Sequence, residues 1–265
     1  MLFRSEPFER LLTQGMVLND GTKMSKSKGN TVDPLTLIDK YGADTVRMFT
    51  LFAAPPDQSL DWSSSGVEGS FRFLNRLWKV VSDHECVSWE KKQLTDLNSE
   101  QKQFRYKIHS TLKKVTDDYA RRQTFNTAIA ASMELLNATT KFKDQVDSDL
   151  GRALLQEALE IIILMLSPIV PHFCHVLWNH LGHEGAVMDA SWPIPIEEAL
   201  TQDTIVIVLQ VNGKLRDRIE VSEDTSKEEL EQLAVANASV KRFIEGKNIQ
   251  KIIVVPKRLV NVVAN

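Results

Sequence analysis

The stretch TKMSKSKGN, Thr22 to Asn30, decides how the rest of the chain is read. Between Gly21 and Gly29 it packs three lysines, Lys23, Lys26 and Lys28, and two serines, Ser25 and Ser27. Lysine ammoniums supply mobile positive charge, while hydroxyls and free backbone N–H groups supply short-range donors. The flanking glycines let the backbone bend, because glycine tolerates positive φ. Such a loop suits a polyphosphate whose charge grows during a reaction, since preorganised donors act most strongly where charge develops. A solvated lysine-rich turn is the competing reading of the same composition.

Working outward, Glu6–Thr13 reads as a short helix and Gly15–Leu18 as a strand, followed by a turn at Asp20-Gly21. A strand, a glycine turn and a phosphate-facing loop describe the carboxyl edge of the last unit of a doubly wound sheet. On the other side, Asp33-Pro34 combines an N-cap with a proline at N1 and starts a helix that runs to about Lys40 and stops at Gly42. A second helix is expected over Ala43–Ala54, ended by Pro55-Pro56.

The order of these strings is specific. Lys23-Met24-Ser25-Lys26-Ser27, then Lys28-Gly29-Asn30, then Val32-Asp33-Pro34, then YGADTVR over Tyr41–Arg47 resembles the signature loop of class I aminoacyl-tRNA synthetases and its surroundings. That family carries a second motif, HIGH or HxGH, near the start of its nucleotide-binding fold. None of the six histidines here, His84, His109, His172, His175, His180 and His183, sits in that pattern. The resemblance therefore implies that the adenine site and the amino-acid pocket lie on an N-terminal catalytic half outside this sequence, supplied in cis or as a separate subunit.

Composition sets the limits. The chain has 265 residues, 43% hydrophobic and 25% charged, enough for a sizeable core and for one large domain or several small ones. A net charge of -3 gives no global basic signature, so any nucleic-acid contact must use local patches. Cys86 and Cys174 lie far apart without CxxC spacing, as expected of free thiols in a reducing cytosol. The apolar run Ile161–Leu166 is too short to span a bilayer, and the N-terminus lacks the apolar core of a signal peptide. These features imply a soluble cytoplasmic protein without a membrane partner.

Residues 67 to about 183 read as successive helices. Phe71, Leu74, Leu77, Trp78 and Val81 form one apolar stripe at three- and four-residue steps. Gln101–Tyr119, Phe125–Phe142, Ala153–Leu166 and Pro168–Leu181 supply four more helices, with Gly182 just past the last of them, and an up-and-down bundle is the economical arrangement. His172, Cys174 and His175 invite a metal reading, but they crowd one turn among apolar residues without a fourth ligand, and no protein-bound metal is expected. Arg121 and Arg122 either contact an RNA stem or cap the preceding helix. Ser191–Pro195 closes the bundle.

From Thr204 the period changes. Ile205–Val211 and Lys214–Val221 read as strands joined by an Asn212-Gly213 hairpin turn. A helical stretch follows, starting near Ser226 with Glu229 three residues on, a capping box. Ile249–Val255 and Arg258–Val263 complete a compact ββα(α)ββ domain. The fold class expected is mostly α with a small α+β end domain, divided as 1–66 (end of a Rossmann-type catalytic domain), 67–200 (helical bundle) and 201–265 (terminal domain).

VTDDYARRQTFNTAIAASMELLN over Val115–Asn137 and SPIVPHFCHVLWNHLG over Ser167–Gly182 resemble the anticodon-binding bundle of bacterial leucyl-tRNA synthetases. VLQVNGKLRDRIEV and IQKIIVVPKRLVNVV resemble their C-terminal domain, which reaches the outer corner of tRNA. The resemblance implies an enzyme that activates leucine with ATP, Mg2+ accompanying the nucleotide, and transfers it to tRNA(Leu). By it, Lys26 holds the phosphates in the activation transition state and Lys23 assists; Ser25 and Ser27 shape the loop, and Met24 packs beneath it. Lys214, Arg216, Lys257 and Arg258, near strand ends and turns, become candidate tRNA contacts beside Arg121 and Arg122. The editing domain of that family is absent from the sequence. Taken alone, the chain is expected to be inactive, and a non-catalytic tRNA-binding module is the alternative reading.

Overall fold

The computed structural model describes residues 11–87, 94–144, 146, 148–201, 204–222 and 225–265. Most of the helix expected over Glu6–Thr13 lies outside that set. The chain falls into two compact units, Met1–Leu200 and Thr201–Asn265. It is mostly helical, with a small sheet at each end of the sequence.

The first unit opens with a three-stranded sheet ordered β2-β1-β3, from β1 (Val17–Asn19), β2 (Thr22–Lys23) and β3 (Leu60–Asp61). Asp20 and Gly21 both take positive φ, 52° and 69°, which gives a two-residue hairpin turn whose twist matches the strands. β3 runs parallel to β1 and pairs Val17 with Leu60 and Leu18 with Asp61. Parallel pairing needs a crossover, and the two helices expected from the sequence provide it. They are α1 (Pro34–Tyr41) and α2 (Ala43–Ala53). The Asp33 side chain accepts from Leu35 N, so the N-cap forms as the Asp33-Pro34 pair implies. Leu60 and Asp61, too short a stretch to carry a strand period in the sequence, are thus strand. Gly15 has a steric reason to be glycine: a Cβ there would lie 2.0 Å from the Gln58 carbonyl oxygen.

Among the described residues five helices follow: α3 (Ser64–Ser82), α4 (Ser99–Asp117), α5 (Phe125–Lys143), α6 (Asp149–Leu166) and the shorter α7 (Pro171–His180). Polar caps start three of them: Ser63, Asn98 and Ser148 each accept from a backbone N–H of the first turn. α6 is apolar on nearly every side and forms the centre, with Leu154, Leu159, Ile162 and Ile163 fully buried. Gly66 lets α3 approach α2, since a Cβ would meet the Phe49 ring at 2.6 Å. The helix expected to run to Tyr119 instead widens into a π-turn over Asp118–Arg122, closed by Gln123 at φ 53°. Trp192 closes the bundle as expected, its ring edge on Tyr119 and its Nε1 donating to Thr116 Oγ1 at 2.9 Å. A short helix, α8 (Glu197–Leu200), ends this unit. No helix among the described residues is long and apolar enough to cross a membrane.

The second unit has strands β4 (Thr204–Val211), β5 (Lys214–Ser222), β6 (Ile249–Val255) and β7 (Leu259–Ala264) in the order β5-β4-β7-β6. Asn212 and Gly213, at φ 51° and 76°, make the expected hairpin turn. The expected capping box is present at Ser226 and Glu229. The single helical stretch is broken at Asn237 into α9 (Lys227–Ala236) and α10 (Ala238–Ile244), because the Asn237 carboxamide turns to cap the second helix. Ile207, Leu209, Val211, Val260 and Val262 pack against Leu230, Ala234 and Val240, so this unit has its own core.

Candidate phosphate-binding loop and nucleic-acid interface

The lysine-rich loop leaves β2 at Lys23, turns through a single 3-10 turn at Lys26–Lys28, and is stopped by Gly29 at φ 64°, whose N–H donates to Lys26 O. Asn30 clasps the loop from its far end. Its Oδ1 accepts from Ser25 N at 2.9 Å, and its Nδ2 donates to Lys23 O and Thr22 Oγ1, each at 3.2 Å. Asn19 Nδ2 donates to Asn30 O at 2.9 Å, which ties the clasp to β1. Met24 and Ser25 are half-buried, and Met24 N donates to Val17 O. Ser25 Oγ and Ser27 Oγ lie 3.2 Å apart. Lys23, Lys26, Ser27 and Lys28 remain exposed. The result is a braced backbone carrying mobile cations at its rim.

This clasp is the part of the site that the residue pattern did not single out. Asn30 stands next to Gly29 in the quoted string, yet an asparagine beside a glycine is ordinary turn composition. Its role shows only once β1 and β2 bring Asn19 and Thr22 to it. Below the loop, Trp62 N donates to Leu18 O and its ring meets Phe49 edge-on at 5.0 Å, so the sheet under the loop is anchored to α2.

Arg121 and Arg122 stand in the π-turn, paired back onto the preceding helix. Arg121 grips Asp117 at 2.7 and 2.8 Å, and Arg122 reaches Asp118 at 2.9 Å. The Arg121 guanidinium holds the Asp117 carboxyl below its ordinary value and is itself raised by that bond. Both arginine side chains still present surface to solvent. π-turns within α-helices occur often at functional positions.

The candidates in the second unit separate into two kinds. Lys214, Lys257 and Arg258 are exposed at the two hairpin ends, with Lys257 at φ 56° in the β6–β7 turn. Arg216 instead lays its guanidinium 3.5 Å above the Phe243 ring, and its Nε is buried. That arrangement makes Arg216 also a packing contact between the sheet and α10.

His172, Cys174 and His175 do not converge. Cys174 is fully buried and burial pushes its thiol well up, while the exposed His172 faces Asp44. Among the described residues no group of three or more His, Cys, Asp or Glu is placed to hold a metal ion.

Two family models match the chain. Residues 1–63 match tRNA synthetases class I (I, L, M and V), and residues 101–232 match the anticodon-binding domain of tRNA ligase. Leucine–tRNA ligase of Saccharophagus degradans is 59% identical over 261 residues, which cover 98% of this chain and 32% of that protein. The Nitrosococcus oceani leucine–tRNA ligase is 57% identical over 265 residues, again 98% of this chain and 32% of the relative. Among solved structures, the Agrobacterium radiobacter agnB2 LeuRS–tRNA–LeuAMS ternary complex matches with a TM-score of 0.73 and 26% identity, over 95% of this chain and 32% of that one. The chain thus spans about a third of the length of the relatives it matches. On that identity over nearly its whole length, the chain belongs to the class I leucyl-tRNA synthetase family and corresponds to the carboxyl-terminal part of its members.

Proposed function

We propose that this chain supplies the phosphate-handling loop and the tRNA-binding surfaces of a leucine–tRNA ligase. That enzyme joins leucine to ATP, releasing pyrophosphate as leucyl-adenylate forms, and then passes leucine to tRNA(Leu). Mg2+ arrives with the ATP. The observation that carries the reading is the exposed lysine rim on a backbone braced by Asn30, in a chain 59% identical to a leucine–tRNA ligase.

Lys26 sits on the 3-10 turn, at the exposed rim of the loop, where an ammonium can follow negative charge as it builds on the leaving pyrophosphate. Lys23, held in β2, assists from a fixed position. Ser25 and Ser27 keep the turn in shape, and half-buried Met24 seats it. Residues 1–66 then act as the edge of the catalytic domain, 67–200 as the helical tRNA-binding bundle and 201–265 as a further tRNA contact, with Arg121, Arg122, Lys214, Lys257 and Arg258 as phosphate-facing groups.

Because the chain spans about a third of its relatives' length, the reaction belongs to the whole ligase, and the chain by itself acts as a tRNA-binding module. The test restores the remainder of the enzyme and measures leucine-dependent ATP–pyrophosphate exchange with and without Lys26→Ala. Loss of exchange with tRNA binding retained supports the assignment. Undiminished exchange in the variant, or leucine-dependent exchange by this chain alone, overturns it.

A further inference from the structure

Two sequence motifs that stand apart from the lysine loop, YGADTVR and SPIVPHF, meet in the folded chain. Asp44 and Arg47 project from the same face of α2, three residues apart. The Asp44 carboxylate accepts from Phe173 N at 2.7 Å through Oδ2, and its Oδ1 lies 3.4 Å from His172 Nδ1. Arg47 Nε donates to Ile169 O at 3.0 Å, and its Nη2 donates to Pro168 O at 3.3 Å. The sequence separations are 121 to 129 residues.

The chemistry is complementary at both poles. α7 begins at Pro171 behind Val170, which has no side-chain oxygen to cap a helix. Its first-turn N–H would go without a side-chain acceptor, and Asp44 supplies one from another element, at the positive end of the α7 dipole. The carbonyls of Pro168 and Ile169, in the turn between α6 and α7, receive the Arg47 fork. Both charges act on backbone groups, so they recognise the shape of that turn more than its side chains.

Apolar packing already holds α2 through Met48 and Phe49, both almost completely buried. Such packing is non-directional and leaves room for a helix to slide or roll. Charge-assisted hydrogen bonds at 2.7 to 3.3 Å do not, because they weaken steeply with misalignment. α2 is joined to α1 through Gly42 alone, and α1 begins at Pro34, four residues past Asn30. A shift at the α6–α7 turn therefore passes along two short, closely joined helices to the lysine loop.

We infer that Asp44 and Arg47 form a positioning joint that sets the lysine loop in register with the helical bundle. The inference rests on the function proposed above. Neither residue touches the reacting atoms; each holds the loop where Lys26 must be when charge develops. RNA seated on the bundle thereby acts on a loop whose distance from that bundle is fixed.

The experiment uses the ligase restored with the remainder of the enzyme. Arg47→Ala and Asp44→Ala should each lower kcat for leucine-dependent pyrophosphate exchange on the order of ten- to a hundredfold, the scale expected when a catalytic group is misplaced by about an ångström. KM for leucine should stay unchanged, and the double variant should lose no more than the worse single one, since the two residues act as a unit. Asp44→Asn retains an acceptor for Phe173 N and should recover most of kcat. That milder variant is informative even where an alanine variant folds poorly, which thermal unfolding of each protein reports. A folded Arg47→Ala enzyme with full kcat, beside a Lys26→Ala enzyme that has lost exchange, overturns the joint and leaves the proposed function standing. If Lys26→Ala also retains exchange, the proposed function has failed and the joint falls with it.

Discussion

Asn30 and Ser25 are joined by a hydrogen bond from Ser25 N to Asn30 Oδ1, 2.9 Å long, that closes the lysine loop into a ring. The same carboxamide donates to Lys23 O, so a single side chain fixes both the entry of the loop and its middle. Asn30→Ala should remove about 1 kcal/mol of ordering for each hydrogen bond it deletes. In the restored ligase kcat for pyrophosphate exchange should fall by between roughly tenfold, where the energy of about one of its three bonds is expressed in the transition state, and roughly a hundredfold, where that of all three is. Global unfolding should hardly move, because the loop is exposed. Asn30→Asp keeps the acceptor but removes the donor, and should lie between. An Asn30→Ala enzyme with wild-type kcat would show that the lysines act without the clasp.

The three lysines should not be equivalent. Lys26→Ala should lose on the order of 10²–10³ in kcat, by analogy with removal of one oxyanion donor. Lys23→Ala should lose less and Lys28→Ala least, while tRNA binding changes little in all three. Equal losses would mean that the loop works as diffuse charge, and the distinct role of Lys26 would be withdrawn.

Much of the fold was legible because local chemistry announced it. Asp33-Pro34, Asn212-Gly213 and Ser226 with Glu229 each cap or turn the chain as their residue types require. The misses share a physical cause, which is dependence on distant partners. Leu60-Asp61 becomes a strand only because β1 lies beside it, and two residues carry no periodicity. The α4 helix ends in a π-turn because Asp118 is fully buried and bonds to both Arg122 and Thr124, a tertiary placement invisible in a run of helix-forming residues. The loop was readable from its string, whereas the Asn30 clasp and the Asp44–Arg47 joint were not, since neither residue type is unusual where it stands. Arg216 differs from the exposed cations in the Phe243 ring beneath it, a partner 27 residues away that its place near a turn does not announce.

Glu157 is buried at the centre of the helical bundle and accepts from Arg105 Nε at 3.2 Å, with His109 Nε2 also 3.2 Å away. Ile196 N donates to His109 Nδ1, which leaves Nε2 as the protonated nitrogen that donates to Glu157. Glu157→Ala would strand the Arg105 guanidinium in the core and should destabilise the chain by about 3–5 kcal/mol. Glu157→Gln, which keeps an acceptor, should cost clearly less. Urea unfolding of both variants checks this, and equal small losses would show that water reaches Arg105.

His84 lies at the carboxyl end of α3 with Nε2 2.7 Å from Gln156 Oε1, and is only 7% exposed. Burial pushes its imidazole below the ordinary value; the Gln156 bond opposes this, the Lys143 charge adds to the lowering, and Glu160 and Glu85 oppose it. The unfolded chain therefore binds a proton at His84 at a higher pH than the folded chain does. The resulting stability is fully present above the unfolded value of about 6.5 and is lost as pH falls through the lower folded value. His84→Asn should show a smaller drop in Tm than wild type between about pH 7.5 and about 5.5. Parallel curves for the two proteins would remove His84 as a contributor.

The second unit offers a contrast between two kinds of basic residue. Lys214, Lys257 and Arg258 stand exposed at hairpin ends, where they can meet phosphates without disturbing the core. Arg216 lies against Phe243 with its Nε buried, so its loss acts first on the packing of α10. In the restored ligase, changing Lys214, Lys257 and Arg258 together to alanine should weaken tRNA binding. For every cation removed from a phosphate, the dependence of log K on log salt should flatten by roughly 0.9 on duplex RNA regions, by analogy with B-DNA. Pyrophosphate exchange should stay near normal, because the lysine loop lies in the other unit. Arg216→Ala should instead lower the unfolding temperature and leave the salt slope unchanged, since a cation over a ring contributes about 0.5–2 kcal/mol to packing. Nitrocellulose filter binding across a salt series, with thermal unfolding of the same proteins, separates the two effects. A triple variant with an unaltered slope would mean that these cations are ordinary solvated charge, and an Arg216→Ala protein with a flattened slope would place Arg216 on the RNA.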